Sequence, residues 1–416
     1  MNTKPTTAIL HYSAPPVIGG VELVIKAHAE VMNAFGYPVT VVAGRGEGAA
    51  LPPKVTLEKR PLLDSRHPEI LEVSESLAQG EVPETFDTLA ARIAEELEPL
   101  LRGFDNIIVH NVFTKRFNLP LTAALHQLLD AGTLPHCIAW CHDLGWVSES
   151  SRIYLHPGHP WDLLRTYRPE LTYVVVSRER QAELAALLER PAEEIRVVYN
   201  GVKPETLLGL TEEGAALVER LALLERDLIL LMPVRVTHQK NIELALRVVA
   251  ALKKKLERPF LVLTGPPDPH DPQSMAYFRD LQALRARLGV EEEMRFVFES
   301  GPDPERPYTI DEEVVGDLFR VSDVMFMPSH VEGFGMPVLE AGLVGLPVVS
   351  TAVPAAEELA REERILIADD APPQEIADAI LSWAEASRGH RLRRRVRQHL
   401  TWQALFRHEI EALLHP

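Results

Sequence analysis

Short apolar runs alternate with amphipathic stretches along this chain, and the alternation starts afresh near its middle. In the first half, Ala8–Tyr12, Val39–Val42, Ile107–Val109, Cys137–Trp140, Tyr173–Val176 and Arg196–Val198 read as strands. Helical spacing falls between them, at Val21–Phe35, Phe86–Leu101, Pro120–Leu129 and Glu179–Leu188. The second half repeats the scheme with strands at Leu228–Met232, Phe260–Thr264, Met294–Phe298, Val324–Met327 and Pro347–Ser350. Its helices are expected at Ile242–Leu256, Gln273–Leu288, Glu312–Arg320, Pro337–Val344 and Ala355–Arg361. Strands separated by helices imply βαβ units, parallel sheets and the α/β class. A chain of 416 residues is long for one core and comfortable for two. Tyr199-Asn200-Gly201-Val202 stands between the two sets, and Asn-Gly marks a turn or hinge. The expected division is therefore a first domain over 1–200, joined by a tail helix over about 398–416, and a second domain over 201–397. Arg60–Gln79 reads as a loop with a short helix, and Pro373–Leu414 as helical. Within the tail, Arg391, Arg393, Arg394, Arg395 and Arg397 form a basic run, read as a solvated helix face, with an anionic partner as the alternative.

Bulk properties exclude several classes. A net charge of −17, spread over both halves, argues against nucleic acid and against a broad cationic membrane surface. No apolar stretch approaches the ~20 residues of a membrane span, and no signal pattern opens the chain. Peripheral contact at the inner membrane face stays open, although no strongly basic amphipathic helix is visible. Two cysteines, Cys137 and Cys141, suit a reducing cytoplasm and read as structural. The oligomeric state is not legible.

The residues with chemistry cluster at strand ends, where open α/β sheets bind ligands. Glu332-Gly333-Phe334-Gly335-Met336-Pro337 leads from a strand into a helix, with Pro337 in its first turn. Backbone N–H groups and the helix dipole at such a turn suit a phosphate or sugar hydroxyls. Glu332 and Glu340, seven residues apart in between, are acceptors for diols. Arg235 and Lys240 share one strand-to-helix loop and suit a diphosphate. Gly265 and Gly301 end neighbouring strands and are candidates to line a base pocket. In the first half, Gly19-Gly20 precedes a helix, as in a phosphate-binding turn, although it is not the dinucleotide fingerprint. His142 and Asp143 follow a strand, with Trp146 as a candidate stacking face for a sugar. His110-Asn111, with the loops Pro61–His67 and Tyr154–Trp161, are candidates for acceptor contact. His142, Asp143, His156 and His159 match no standard metal spacing, and no metal site is assigned.

Taken in order, these residues resemble those of the family-four retaining glycosyltransferases (glycosyl transferases group 1). The resemblance runs from Gly19-Gly20 to Thr401-Trp402. Tyr199 stands where the family's hinge usually has proline. It implies the GT-B fold: two facing Rossmann-like, doubly wound domains with a cleft between them and a terminal helix crossing back to the first. It also implies roles. Arg235 and Lys240 would hold the leaving diphosphate, Glu340 the ribose hydroxyls and Glu332 the transferred sugar. Amides of Phe334, Gly335 and Met336 would touch sugar and phosphate. Gly19 and Gly20 would let the first domain approach the phosphate, and His142 would reach the donor sugar or reacting centre.

The function this implies is retaining transfer of a mannose- or glucose-type hexose. The donor would be a GDP- or UDP-linked sugar, and the acceptor a hydroxyl on a glycolipid, polysaccharide or small solute. No cofactor and no essential metal are expected, because Arg235 and Lys240 already supply countercharge. A phosphorylase or sugar-nucleotide epimerase of the same fold, and a non-catalytic carbohydrate-binding subunit, are the alternatives.

Overall fold

The structure is a computed structural model that describes residues 4–368 and 370–415. It divides into two compact units, Met1–Gly201 with Trp402–Pro416, and Val202–Thr401.

The first unit contains seven parallel strands: β1 (Thr7–Ser13), β2 (Val39–Arg45), β3 (Thr56–Lys59), β4 (Asn106–His110), β5 (His136–Cys141), β6 (Leu171–Val175) and β7 (Arg196–Val197). Their order is β3-β2-β1-β4-β5-β6-β7. Every residue of β1 and β4 is buried, which explains their continuous apolar runs. Successive side chains still alternate between two layers. Leu10, Val109 and Ala139 face the helices Pro68–Ala78, Thr85–Leu101 and Leu119–Asp130. Ile9, Ile108 and Ile138 face the helix Gly20–Ala34 and the tail residues Trp402, Phe406 and Ile410. The tail is thus part of the first unit's core, and Asn106 Nδ2 donates to Leu414 O at 3.1 Å.

The second unit contains β8 (Leu228–Met232), β9 (Pro259–Leu263), β10 (Met294–Phe296), β11 (Val324–Met327), β12 (Val348–Ser350) and β13 (Arg364–Leu366). They form one parallel sheet in the order β10-β9-β8-β11-β12-β13. Helices Ile242–Leu252, Ser274–Leu288 and Pro373–Ala386 cover one face. Helices Glu212–Arg220, Glu312–Val321, Met336–Leu343 and Pro354–Ala360 cover the other. Both units are therefore Rossmann-like and doubly wound, the make-up expected of a GT-B chain. The strand order reverses at β1/β4 in one and at β8/β11 in the other, and ligands bind at such switch points.

Two edge strands escape the apolar pattern. β3 and β13 are half exposed and lack a buried run. The helix within Arg60–Gln79 is longer than expected, eleven residues over Pro68–Ala78. The basic run is a solvated face only in part: Arg391 and Arg395 are exposed, and the other three turn inward. Arg397 is 6% exposed, and its guanidinium forks onto Asp323 at 3.1 and 3.0 Å. Arg394 pairs with Asp227 at 3.0 Å, and Arg393 donates to the Arg320 carbonyl. Asp227 and Asp323 immediately precede β8 and β11, so helix Arg388–His399 is fastened to the amino end of the second sheet. Arg394 and Arg397 thus balance buried carboxylates inside the unit.

Candidate functional site

In the second unit, the loops after β8 and β11 meet at the switch point. β11 ends at Met327, and eight residues separate it from the helix Met336–Leu343. Gly335 turns the chain with φ 82°, a conformation that disfavours any side chain. Pro337 sits in the first turn without losing a hydrogen bond. The loop is held at several points. Thr351 Oγ1 donates to Ser329 O at 2.6 Å, and His330 N–H donates to Gln239 O at 2.8 Å. Ser329 Oγ donates to Glu332 Oε1 at 2.6 Å.

The same carboxylate oxygen accepts from Lys240 Nζ at 2.7 Å. The two side chains are 18% and 6% exposed, so the pair is largely withdrawn from water. Lys240 closes a short turn, His238–Lys240, before helix Ile242–Leu252. Arg235 stands in the same loop but is open: its side chain is 59% exposed, and its nearest carboxylate, Asp268, lies at 3.9 Å. Phe334 and Met336 are exposed at the helix entry. Glu340 lies one turn into the helix, half buried. Burial, aided by nearby Glu312, raises its pKa above the ordinary glutamate range. Two cations, the free N–H groups of a helix N-terminus and two acceptor carboxylates share one switch point, a combination suited to a diphosphate and a polyol.

Gly265 has a supporting place. A β-carbon there would lie 2.4 Å from the Val234 carbonyl oxygen. Its N–H donates to that oxygen at 3.0 Å, seating the loop after β9 against the Arg235 loop. Near Gly301, Glu299 accepts from Gln282 at 2.8 Å and from Arg285, so that carboxylate is engaged within the unit.

In the first unit, the candidates gather around the ends of β1, β4 and β5. Gly19 is the extended residue before helix Gly20–Ala34. A β-carbon on it would meet the Glu22 carboxylate, which accepts from Ser13 Oγ at 2.6 Å. Around Gly20 there is open space.

Asn111, expected to face an acceptor, does something else. It is 4% exposed with φ 61°, and its Oδ1 accepts from the backbone N–H groups of His142 (2.7 Å) and Asp143 (3.2 Å). It therefore shapes the His142-Asp143 turn. Trp146 likewise differs from the expected open stacking face. Its Nε1 donates to Trp161 O at 3.1 Å, and Arg165 lies 4.2 Å over the ring. Asp143 is exposed.

His142 is not alone. Its Nε2 lies 3.0 Å from His110 Nδ1, and the rings stack with centroids 5.3 Å apart. His11 Nδ1 lies 2.9 Å from His110 O, and His28 is 5.4 Å from the His110 ring. Burial, with mutual repulsion of the imidazoles, lowers the His142 pKa to about 4 and that of His28 to about 3. His110 is held well below the usual range by the same causes, chiefly burial. These rings are neutral near pH 7. With Nε2 engaged, His142 has Nδ1 left to offer. From the sequence, His110 stands only beside Asn111 in a loop for acceptor contact, not as the hydrogen-bond partner of His142. The available signal was positional: His11, His110 and His142 fall at or just past the ends of three adjacent strands.

Cys137 and Cys141 are free and buried, and burial pushes both thiols up to about 12. Among the described residues, no group of three or more His, Cys, Asp or Glu is arranged to hold a metal ion, and no helix is long and apolar enough to cross a membrane.

The chain matches two family descriptions: Glycosyltransferase Family 4 over residues 18–206 and Glycosyl transferases group 1 over 216–399. An uncharacterized glycosyltransferase of Methanocaldococcus jannaschii is 30% identical over 210 residues, 49% of this chain and 48% of that protein. This match thus spans about half the length of that relative. The D-inositol 3-phosphate glycosyltransferase of Streptomyces coelicolor is 28% identical over 375 residues, 83% of this chain and 75% of that protein. The mannosylglucosylglycerate synthase of Petrotoga mobilis is 25% identical over 277 residues, 61% of each chain. Among solved structures, a sucrose-phosphate synthase from Thermosynechococcus elongatus aligns over 98% of both chains at 18% identity with a TM-score of 0.37.

Proposed function

Because the chain belongs to the group 1, family-four glycosyltransferases, we propose that it transfers a hexose, with retention, from a nucleotide-diphospho-sugar to a hydroxyl acceptor. The observation that carries this reading is the second unit's switch point. There Lys240, Glu332 and Ser329 form one bonded group beside the entry of helix Met336–Leu343, with Arg235 open in the same loop.

Breaking the anomeric C–O bond leaves negative charge on the diphosphate and positive charge on the sugar. Arg235 and Lys240 would stabilise the first, with the N–H groups at the helix entry. Glu332 would turn from Lys240 toward hydroxyls of the sugar, and Glu340 would accept from the ribose. In the first unit, neutral His142 would offer a hydrogen bond rather than a charge. With no nucleophile assigned, retention is proposed to proceed by front-face attack, the leaving phosphate oxygen taking the acceptor proton. An essential metal is not part of this proposal, since the cation pair carries the countercharge.

The test is a thermal-shift panel of nucleotides and nucleotide sugars, followed by transfer assays after chelation. Stabilisation by one nucleoside diphosphate and its sugar, with an α-linked product from an α-linked donor, is expected. No response to any nucleotide defeats the reading, and activity that vanishes on chelation and returns with a divalent ion defeats its metal-independent part.

A further inference from the structure

Lys115 and Arg116 follow Asn111 on the carboxyl side of β4. Their segment is braced against the His142-Asp143 turn: Thr114 Oγ1 donates to Asp143 O at 2.8 Å, and Gly145 N–H donates to Thr114 O at 2.8 Å. Several other cations of this unit are matched by acids. Arg45 has Asp64, Arg92 has Glu69, and Arg168 has Asp130 and Glu170. Among the described residues, no carboxylate reaches Lys115 or Arg116. They lie instead over aromatic rings: Arg116 Cζ is 4.2 Å from the centre of Tyr154, and Lys115 Nζ is 5.2 Å from that of Phe117. Both cations are half buried, and Arg116 Nε is buried with no hydrogen-bond partner.

In a chain of net charge −17, two adjacent half-buried cations without acids, one with a buried unpartnered Nε, are suited to an anion. A ring against one face of a guanidinium leaves its edge free, and that edge matches the two oxygens of a phosphate or carboxylate. Both phenylalanine and tyrosine rings are partly exposed, so the site is reached from solvent. We propose that Lys115 and Arg116 receive a phosphate or carboxylate group carried by the acceptor. Anchored there, the acceptor would extend its hydroxyl toward the adjoining His142-Asp143 turn. This inference rests on the transferase reading and adds the chemical class of the acceptor.

The full chain, saturated with whichever of UDP or GDP it binds, is titrated with glycerol 3-phosphate, with glycerate and with glycerol. The anions are expected to bind about ten-fold or more tightly than glycerol, with Arg116→Gln abolishing that preference, Lys115→Gln weakening it and Arg116→Lys retaining part of it. Nucleotide affinity should be unchanged in all three variants, which also shows that they fold. Equal binding of glycerol and the anions, or a preference that survives both Arg116→Gln and Lys115→Gln, overturns the proposal. So does a defect confined to binding of vesicles containing anionic phospholipid, which would make the patch a lipid contact. Failure of the transferase reading is distinguishable, because the chain would then bind neither nucleotide.

Discussion

His110 Nδ1 and His142 Nε2 share a hydrogen bond of 3.0 Å between two neutral, buried imidazoles. Asn111 fixes the His142 backbone while its neighbour His110 fixes the ring. His110→Phe keeps the packing and removes the hydrogen bond. Turnover should fall about ten- to a hundred-fold through misplacement of His142, with nucleotide affinity unchanged. His110→Asn, which can present an amide where Nδ1 stood, should restore part of it. Nitrogen-15 spectra of labelled histidine should show the His142 tautomer disturbed in the phenylalanine variant alone. Equal turnover in wild type and His110→Phe would remove His110 from any positioning role.

Lys240 and Glu332 neutralise one another in a place largely closed to water. Removing either leaves the other poorly compensated. Lys240→Ala should therefore do two things: lower transfer by two orders of magnitude or more, and cost about 1–3 kcal/mol of stability. Glu332→Gln keeps the shape and frees Lys240, so it should retain nucleotide binding while losing turnover. Denaturant unfolding and steady-state kinetics separate the two effects.

Acid should unfold the first unit before the second. His28 and His142 have folded pKa values of about 3 and 4, and His126 about 4, all below the ordinary 6.5. Below pH 6.5 the unfolded chain takes up protons that these folded rings refuse. Stability is thus full above 6.5 and falls as pH drops toward 4, by roughly 1.4 kcal/mol per pH unit for each ring. In the second unit, Arg397 and His390 oppose burial and lower Asp323 to about 2 from 3.8, so its contribution survives until far lower pH. Trp140, Trp146, Trp161 and Trp402 belong to the first unit and only Trp383 to the second. Tryptophan fluorescence should therefore change at higher pH than far-ultraviolet circular dichroism is lost. Coincident transitions would contradict the assignment.

Arg397 is the sole guanidinium forked onto Asp323 among the described residues, with side chains 5% and 0% exposed. Arg397→Met leaves a buried carboxylate held by His390 and the Ile229 N–H, with Arg393 near but not bonded to it. A loss of about 3–5 kcal/mol is expected, and Asp323→Asn in the same chain should recover part of it. Hydrogen exchange at β8 and β11 would register the change first.

Much of the fold was legible because parallel strands buried on both faces write themselves as apolar runs, as β8 and β11 do. β3 and β13 were not legible, since an edge strand exposes one side and needs no such run. At the candidate site, spacing and strand ends single out Arg235, Lys240 and the two glutamates, and the structure brings their loops to one switch point. That Lys240 and Glu332 bond directly was not, because their loops are far apart in sequence and meet only through the strand order. The sequence marks Asn111 as available to a ligand and Arg397 as part of a solvated face, whereas Asn111 serves the backbone of a neighbouring turn and Arg397 an internal carboxylate.

The tail residues Trp402, Phe406 and Ile410 lie in the first unit's core, so the second unit is an insertion within the first. The two are not interchangeable beads. Residues 202–401 form an unbroken segment, whereas residues 1–201 alone would present Ile9, Ile108 and Ile138 without their cover. Synthesis from the amino end must hold that bare face until the last helix emerges, which makes the first unit the later of the two to complete its folding.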